Sequence, residues 1–172
     1  LLHSSSMPPS LPLSFPSLLY KESKPPSKSD VLLISFDGVL GYRLPNQIDA
    51  FNFFMAKKTK ESFNSCFHIS QDYVNLLSML AQSFSIVILF PKKSPEYRNL
   101  AVEMSTKCKK SISAIYSINT ESKDCVDLSF LDKEYSQLGS IVFLTSLQCD
   151  SEVLIQHRPA DKKQCSYLLP EP

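Results

Sequence analysis

Glycine is nearly absent from this chain: there are three in 172 residues, Gly38, Gly41 and Gly139. That scarcity excludes a glycine-rich loop wrapping its backbone N–H groups around a phosphate, and the flanking glycines of a nucleophile elbow. Tryptophan is missing, and His3, His68 and His157 stand far apart. No serine or cysteine therefore has a recognisable histidine partner for nucleophilic catalysis. The cysteines, Cys66, Cys108, Cys125, Cys149 and Cys165, are odd in number and widely spaced. They form neither a C-x-x-C zinc pair nor a dense disulfide framework, and are expected as reduced small hydrophobes. Charge of neither sign dominates, with 18 Lys+Arg against 17 Asp+Glu. A global positive field for nucleic acid is thus missing, and no nucleic-acid partner is expected. The lysine runs at 57–60, 92–93 and 107–110 read as solvated faces. The longest apolar runs, Val31 to Ile34 and Ile86 to Phe90, fall far short of the roughly 20 residues that cross a bilayer, so no transmembrane segment is expected.

What is present is an ordinary globular composition, 43% hydrophobic and 20% charged, in a length suited to one domain with arms. Residues 1–30 collect Pro8-Pro9, Pro12, Pro16 and Pro25-Pro26 among many serines. Such a segment favours extended backbone and has no core of its own. It is expected to be an arm ordered by other protein subunits, with Leu11, Leu13, Phe15, Leu18, Leu19 and Tyr20 as anchors, or to fold back on its own domain.

From residue 31 the pattern changes. Val31 to Phe36 is a continuous apolar run ending at Asp37-Gly38, as expected of a strand buried on both faces at the centre of a parallel sheet. Ile48, Phe51, Phe54 and Met55 recur at helical spacing between 46 and 60, and their default reading is core or interface. A helix capped by Ser70 should carry Val74, Leu77, Leu80, Ala81 and Phe84 inward, feeding the strand Ser85 to Phe90. Ser94-Pro95 should start another helix with Tyr97, Leu100, Ala101 and Met104 inward. A strand near 112–118, a short helix near 128–137, a strand at 141–144 and a last short strand at 153–156 complete the series. This alternation predicts an α/β fold, a Rossmann-like parallel sheet flanked by helices, over residues 31–158, with a tail at 159–172. Ligands of such folds sit at the carboxyl ends of strands, here 35–38, 90–92 and 145–147.

At those ends the sequence resembles the haloacid-dehalogenase superfamily, in the branch of carboxy-terminal-domain phosphatases that includes the receptor subunit of the mitochondrial inner-membrane translocase. The likeness rests on Leu33-Ile34-Ser35-Phe36-Asp37-Gly38-Val39-Leu40, on Tyr73 to Pro91, and on Val126-Asp127-Leu128-Ser129 through Leu144. By that resemblance, a nucleophilic aspartate belongs at Ser35 and an acid two residues later at Asp37. A phosphoryl-binding hydroxyl belongs at Pro91, a lysine at Val126 and the Mg²⁺-holding acids near Thr145-Ser146, both neutral here. Only Asp37 retains the chemistry, and Lys123 lies close enough in sequence to stand in for the missing lysine. A serine hydroxyl is protonated at neutral pH and forms no labile acyl phosphate, and proline offers no donor. With Ser35 and Thr145 in place of carboxylates, no metal, cofactor or catalysis is expected. Asp37 then reads as a cap on the N–H groups of the turn that Gly38 makes.

The resulting expectation is a pseudophosphatase serving as a structural subunit of a multi-protein complex. The resemblance implies a mitochondrial location, with respiratory-chain or ATP-synthase accessory roles among the options. Two alternatives stay open: a targeting-peptide receptor of the inner-membrane translocase, and a residual Mg²⁺-dependent phosphatase.

Overall fold

The computed structural model describes residues 13–14, 16–24, 26, 28–44, 67–91, 94–118, 125–126, 131, 134, 139–145 and 163–168. The strands in chain order are β1 (Leu13–Ser14), β2 (Ser17–Lys21), β3 (Val31–Ser35), β4 (Gly41–Arg43), β5 (Phe67–Ile69), β6 (Ser85–Phe90), β7 (Ile112–Ser117), β8 (Cys125–Val126), β9 (Ser140–Thr145) and β10 (Lys163–Leu168). Helix α1 is Tyr73–Leu80 and α2 is Pro95–Lys107. Six strands form the main sheet in the order β10-β9-β3-β6-β7-β2, every neighbouring pair parallel except the antiparallel β7-β2 edge. The α/β class and the mostly parallel sheet thus agree with the sequence pattern.

Strand β3 is central because nothing in it tolerates water: all five residues are buried, as are all six of β6. A strand apolar on both faces needs cover on both sides. Leu32, Ile34, Ile86, Ile88 and Ile115 face one way and meet Tyr73 and Leu77 of α1 and Leu100, Ala101 and Met104 of α2. Val31, Leu33, Val87, Leu89, Ala114, Ile141 and Phe143 face the other way and meet Leu131. Each fully buried aliphatic side chain in these two layers contributes about 1.5–3 kcal/mol.

Helix α2 starts as its sequence demands. Ser94 is extended, its hydroxyl accepts the Tyr97 N–H at 3.5 Å, and Pro95 occupies the first turn, where a missing N–H is harmless. Helix α1 starts differently from expectation. Its N-cap is Asp72, without a side-chain capping bond, while Ser70 lies in the preceding turn with its carbonyl accepting Tyr73 N–H at 3.2 Å. The backbone N–H of Ser70 is drawn to Leu40 O at 2.7 Å, which fixes it before the helix begins.

Two further differences concern the ends of the chain. Residues 17–21, expected within an arm either ordered by other subunits or folded back on its own domain, form the sheet's antiparallel edge, with Leu18 opposite Tyr116 and Tyr20 opposite Ile115. Residues 163–168, expected as tail, run parallel to β9 in the register Gln164 to Ile141 and Tyr167 to Leu144. Both segments are polar or proline-flanked, so their strand character comes from a partner edge already laid down and not from their own pattern. Of the expected helix at 128–137, residues 131 and 134 are described and both are helical. The expected helix at 46–60 and strand at 153–156 lie outside the described residues.

Candidate functional site at the carboxyl edge

Taking the parallel strands in chain order, β3 comes first, β6 and β7 extend the sheet to one side, and β9 and β10 then extend it to the other. The direction of growth therefore reverses at β3. In open α/β sheets the crevice for a ligand lies at such a reversal, outside the carboxyl ends of the strands. Ser35 ends β3 and Thr145 ends β9. The β3-β9 register pairs Ile34 with Leu144, so one further step along each strand brings Ser35 and Thr145 side by side. Both are buried, at 5% and 0% exposure, on the face that carries Leu33 and Phe143. Pro91 follows β6, the other neighbour of β3, and is half-buried.

Asp37 stands just beyond β3 in a tight turn. Phe36 N–H still bonds Leu89 O of the neighbouring strand at 3.0 Å. The chain then reverses: Leu40 N–H returns to Phe36 O at 3.0 Å and Gly38 N–H reaches Gly41 O at 2.8 Å. Gly38 has φ of 81°, the left-handed region where a Cβ would clash, which is why glycine follows the aspartate. The turn's N–H groups, which the sequence reading gives to the Asp37 carboxylate, thus find backbone carbonyls. The carboxylate accepts a hydrogen bond from the Tyr97 hydroxyl at 3.3 Å.

Tyr97 was not legible as a functional neighbour, since it lies sixty residues downstream on the inward face of α2. Its ring belongs to an aromatic cluster under the turn: Phe67 at 4.8 Å, Phe90 at 5.1 Å and Phe36 at 6.4 Å between centroids. Phe36 meets Phe90 edge-on at 5.3 Å. Burial, then the Asp37 carboxylate and the hydrogen bond to it, push the Tyr97 hydroxyl well above the ordinary tyrosine range. It therefore keeps its proton at neutral pH and remains a donor to Asp37. Over the same edge Arg43 of β4 pairs with Glu96 of α2 at 3.5 Å, an exposed contact of little energetic weight. Ser117, at the end of β7, is fully buried, and its hydroxyl has no hydrogen-bond partner among the described residues.

The structure thus brings Ser35, Asp37, Pro91 and Thr145 to one edge. Val126 falls on β8, which pairs with β1 in a separate two-stranded ladder, Ser14 beside Val126. Lys123 lies outside the described residues. Of the expected partner anchors, Leu19 and Tyr20 pack partly buried against the protein's own core, in the manner of the fold-back alternative, while Leu18 is 51% exposed. Leu13 is in β1, and Leu11, Phe15, Phe51 and Phe54 lie outside the described residues.

Magnesium does not fit this donor set. The ion requires oxygen ligands with enough negative charge to offset its reluctant dehydration. Ser35 and Thr145 supply neutral hydroxyls, Pro91 supplies no side-chain donor atom, and the Asp37 carboxylate is already engaged by Tyr97. A comparison with protein-family models found no match for this chain, and a search of curated proteins found none either.

Proposed function

We propose that this chain is a catalytically inactive, phosphatase-derived domain of the haloacid-dehalogenase type, kept as a structural subunit of a multi-protein complex, with the mitochondrion as its compartment. The observation that carries the reading is that two buried hydroxyls, Ser35 and Thr145, end neighbouring strands one step beyond the Ile34–Leu144 pair at the sheet's switch point, where a phosphoryl-transfer enzyme of this type needs carboxylates. Two buried hydroxyls there can neither form an acyl phosphate nor hold a divalent ion. Asp37, the one acid retained, is tied by Tyr97 to the aromatic cluster. Around this emptied chemistry the central strands β3 and β6 are still buried on both faces, as expected of a fold maintained for its shape.

The test has two arms. Hydrolysis of an aryl phosphate in the presence of Mg²⁺ is expected to match a buffer blank. Turnover that disappears in Asp37→Asn would establish the residual phosphatase in its place. Blue-native electrophoresis of mitochondria carrying a tagged copy should show the chain migrating within a large assembly. Migration as a free monomer would end the subunit reading.

A further inference from the structure

At the amino edge of the sheet, opposite the crevice at Asp37, lies an open cavity of about 660 Å³. That volume suits a ligand of nucleotide size. Five lysines and one glutamate, Glu22, line it, whereas the whole chain nets only +1. One of the five, Lys21, is matched by Glu134. The remaining four come from separate stretches: Lys24 and Lys28 from the link between β2 and β3, Lys109 and Lys110 from the turn after α2. All four are exposed. The fold thus gathers onto one concave surface positive charge that the sequence scatters over nearly ninety positions.

The chemistry of the lining narrows the ligand. Ser85 donates its hydroxyl proton to Lys28 O at 2.7 Å, and Ser105 and Thr106 donate theirs to Val102 O at 2.9 and 2.8 Å. Those three hydroxyl protons are therefore spoken for, and the ammonium groups are the charged donors of the lining. Ammonium groups act as mobile point charges that bind phosphoryl oxygens without a fixed geometry, and four of them on one concave surface call for a ligand that carries several negative charges along a short length, as consecutive phosphoryl groups do. Beside them the wall is apolar, with Phe84, Ile112 and the ring of Tyr20.

We propose that this cavity binds a small anion carrying consecutive phosphoryl groups. Nucleoside triphosphates and inorganic polyphosphate share that chemistry, and the apolar wall is where they would differ. The site is independent of the pseudophosphatase reading, since no residue of the carboxyl edge takes part.

Isothermal titration of the full chain with ATP and with inorganic tripolyphosphate, without Mg²⁺, tests it. Saturable binding that weakens as salt rises is expected for at least one of them. The double variant Lys109→Ala/Lys110→Ala should weaken binding by about tenfold, as two exposed charge contacts imply. Lys107→Ala, on the same helix but paired with Glu103 and outside the lining, should leave binding unchanged. ATP binding more tightly than tripolyphosphate would assign the apolar wall to a base, and equal affinities would assign the site to the inorganic chain. No saturable binding at about 1 mM ligand, equal losses in the two variants, or binding of long heparin chains but of neither small probe would overturn the proposal. Lys107, Lys109 and Lys110 are exposed, and circular dichroism of the variants verifies their folding.

Discussion

Replacing Tyr97 with phenylalanine removes one oxygen from the carboxyl edge and leaves the aromatic cluster intact. The hydroxyl donates to Asp37 at 3.3 Å, longer than the roughly 2.7–2.8 Å usual for such bonds, so the lower end of the range for bonds to charged groups applies. The expected loss is about 1.5 kcal/mol. Tyr97→Ala should cost about 3–5 kcal/mol, because the side chain is 2% exposed and its ring meets Phe36, Phe67 and Phe90. Urea unfolding followed by far-ultraviolet circular dichroism gives both values. Combining Tyr97→Phe with Asp37→Asn then isolates the pair, and the two changes should cost less together than the sum of each alone, by about 0.5–1 kcal/mol. If Tyr97→Phe leaves stability within about 0.3 kcal/mol of the native chain and the two changes simply add, Tyr97 does not hold Asp37 and the geometry at the edge has been misread.

Three further outcomes follow from closely packed groups. Tyr116 has its hydroxyl pushed up to about 12 by burial, with the Glu134 carboxylate adding to it. Since the unfolded chain loses that proton near pH 10, the folded state holds more protons between about pH 10 and 12, and stability must fall as pH rises through that window. Unfolding midpoints measured across it should drop less steeply for Tyr116→Phe than for the native chain. Ser117→Ala should raise stability by about 1 kcal/mol by removing a buried hydroxyl that has no partner among the described residues, and a comparable loss in urea unfolding would show that the hydroxyl is bonded. Gly41→Ala should destabilise by about 1–3 kcal/mol, because the added methyl falls on the His68 carbonyl oxygen across the β4-β5 pair and lies 3.0 Å from the Phe36 ring; full stability in the same assay would show that the hairpin can shift.

Legibility in the sequence followed burial. Val31–Ser35 and Ser85–Phe90 are buried on both faces, so Val31 to Ile34 and Ile86 to Phe90 are apolar without interruption and cannot be mistaken for loop. Ser94-Pro95 fixes its helix start through local chemistry alone. Edge strands offer no such signal. Ser17–Lys21 and Lys163–Leu168 each meet the sheet along one side, keep polar residues, and take their form from β7 and β9. At the site, Ser35 and Thr145 could be named from the strand ends because parallel strands deliver their last residues to one edge. The hold of Tyr97 on Asp37 could not, since it depends on the packing of α2 against β3 and β6 and leaves no pattern in the neighbouring residues. The lysine-lined cavity was hidden for the same reason: its charges become neighbours only when the amino edge is assembled.

The most direct test of the account is calorimetric titration of the native chain with Mg²⁺ beside the Ser35→Asp/Thr145→Asp variant, with folding of both verified by circular dichroism. A flat trace for the native chain is predicted, with any heat of ion binding confined to the folded variant that regains the carboxylates. Stoichiometric Mg²⁺ uptake by the native chain, abolished by Asp37→Asn, would contradict it.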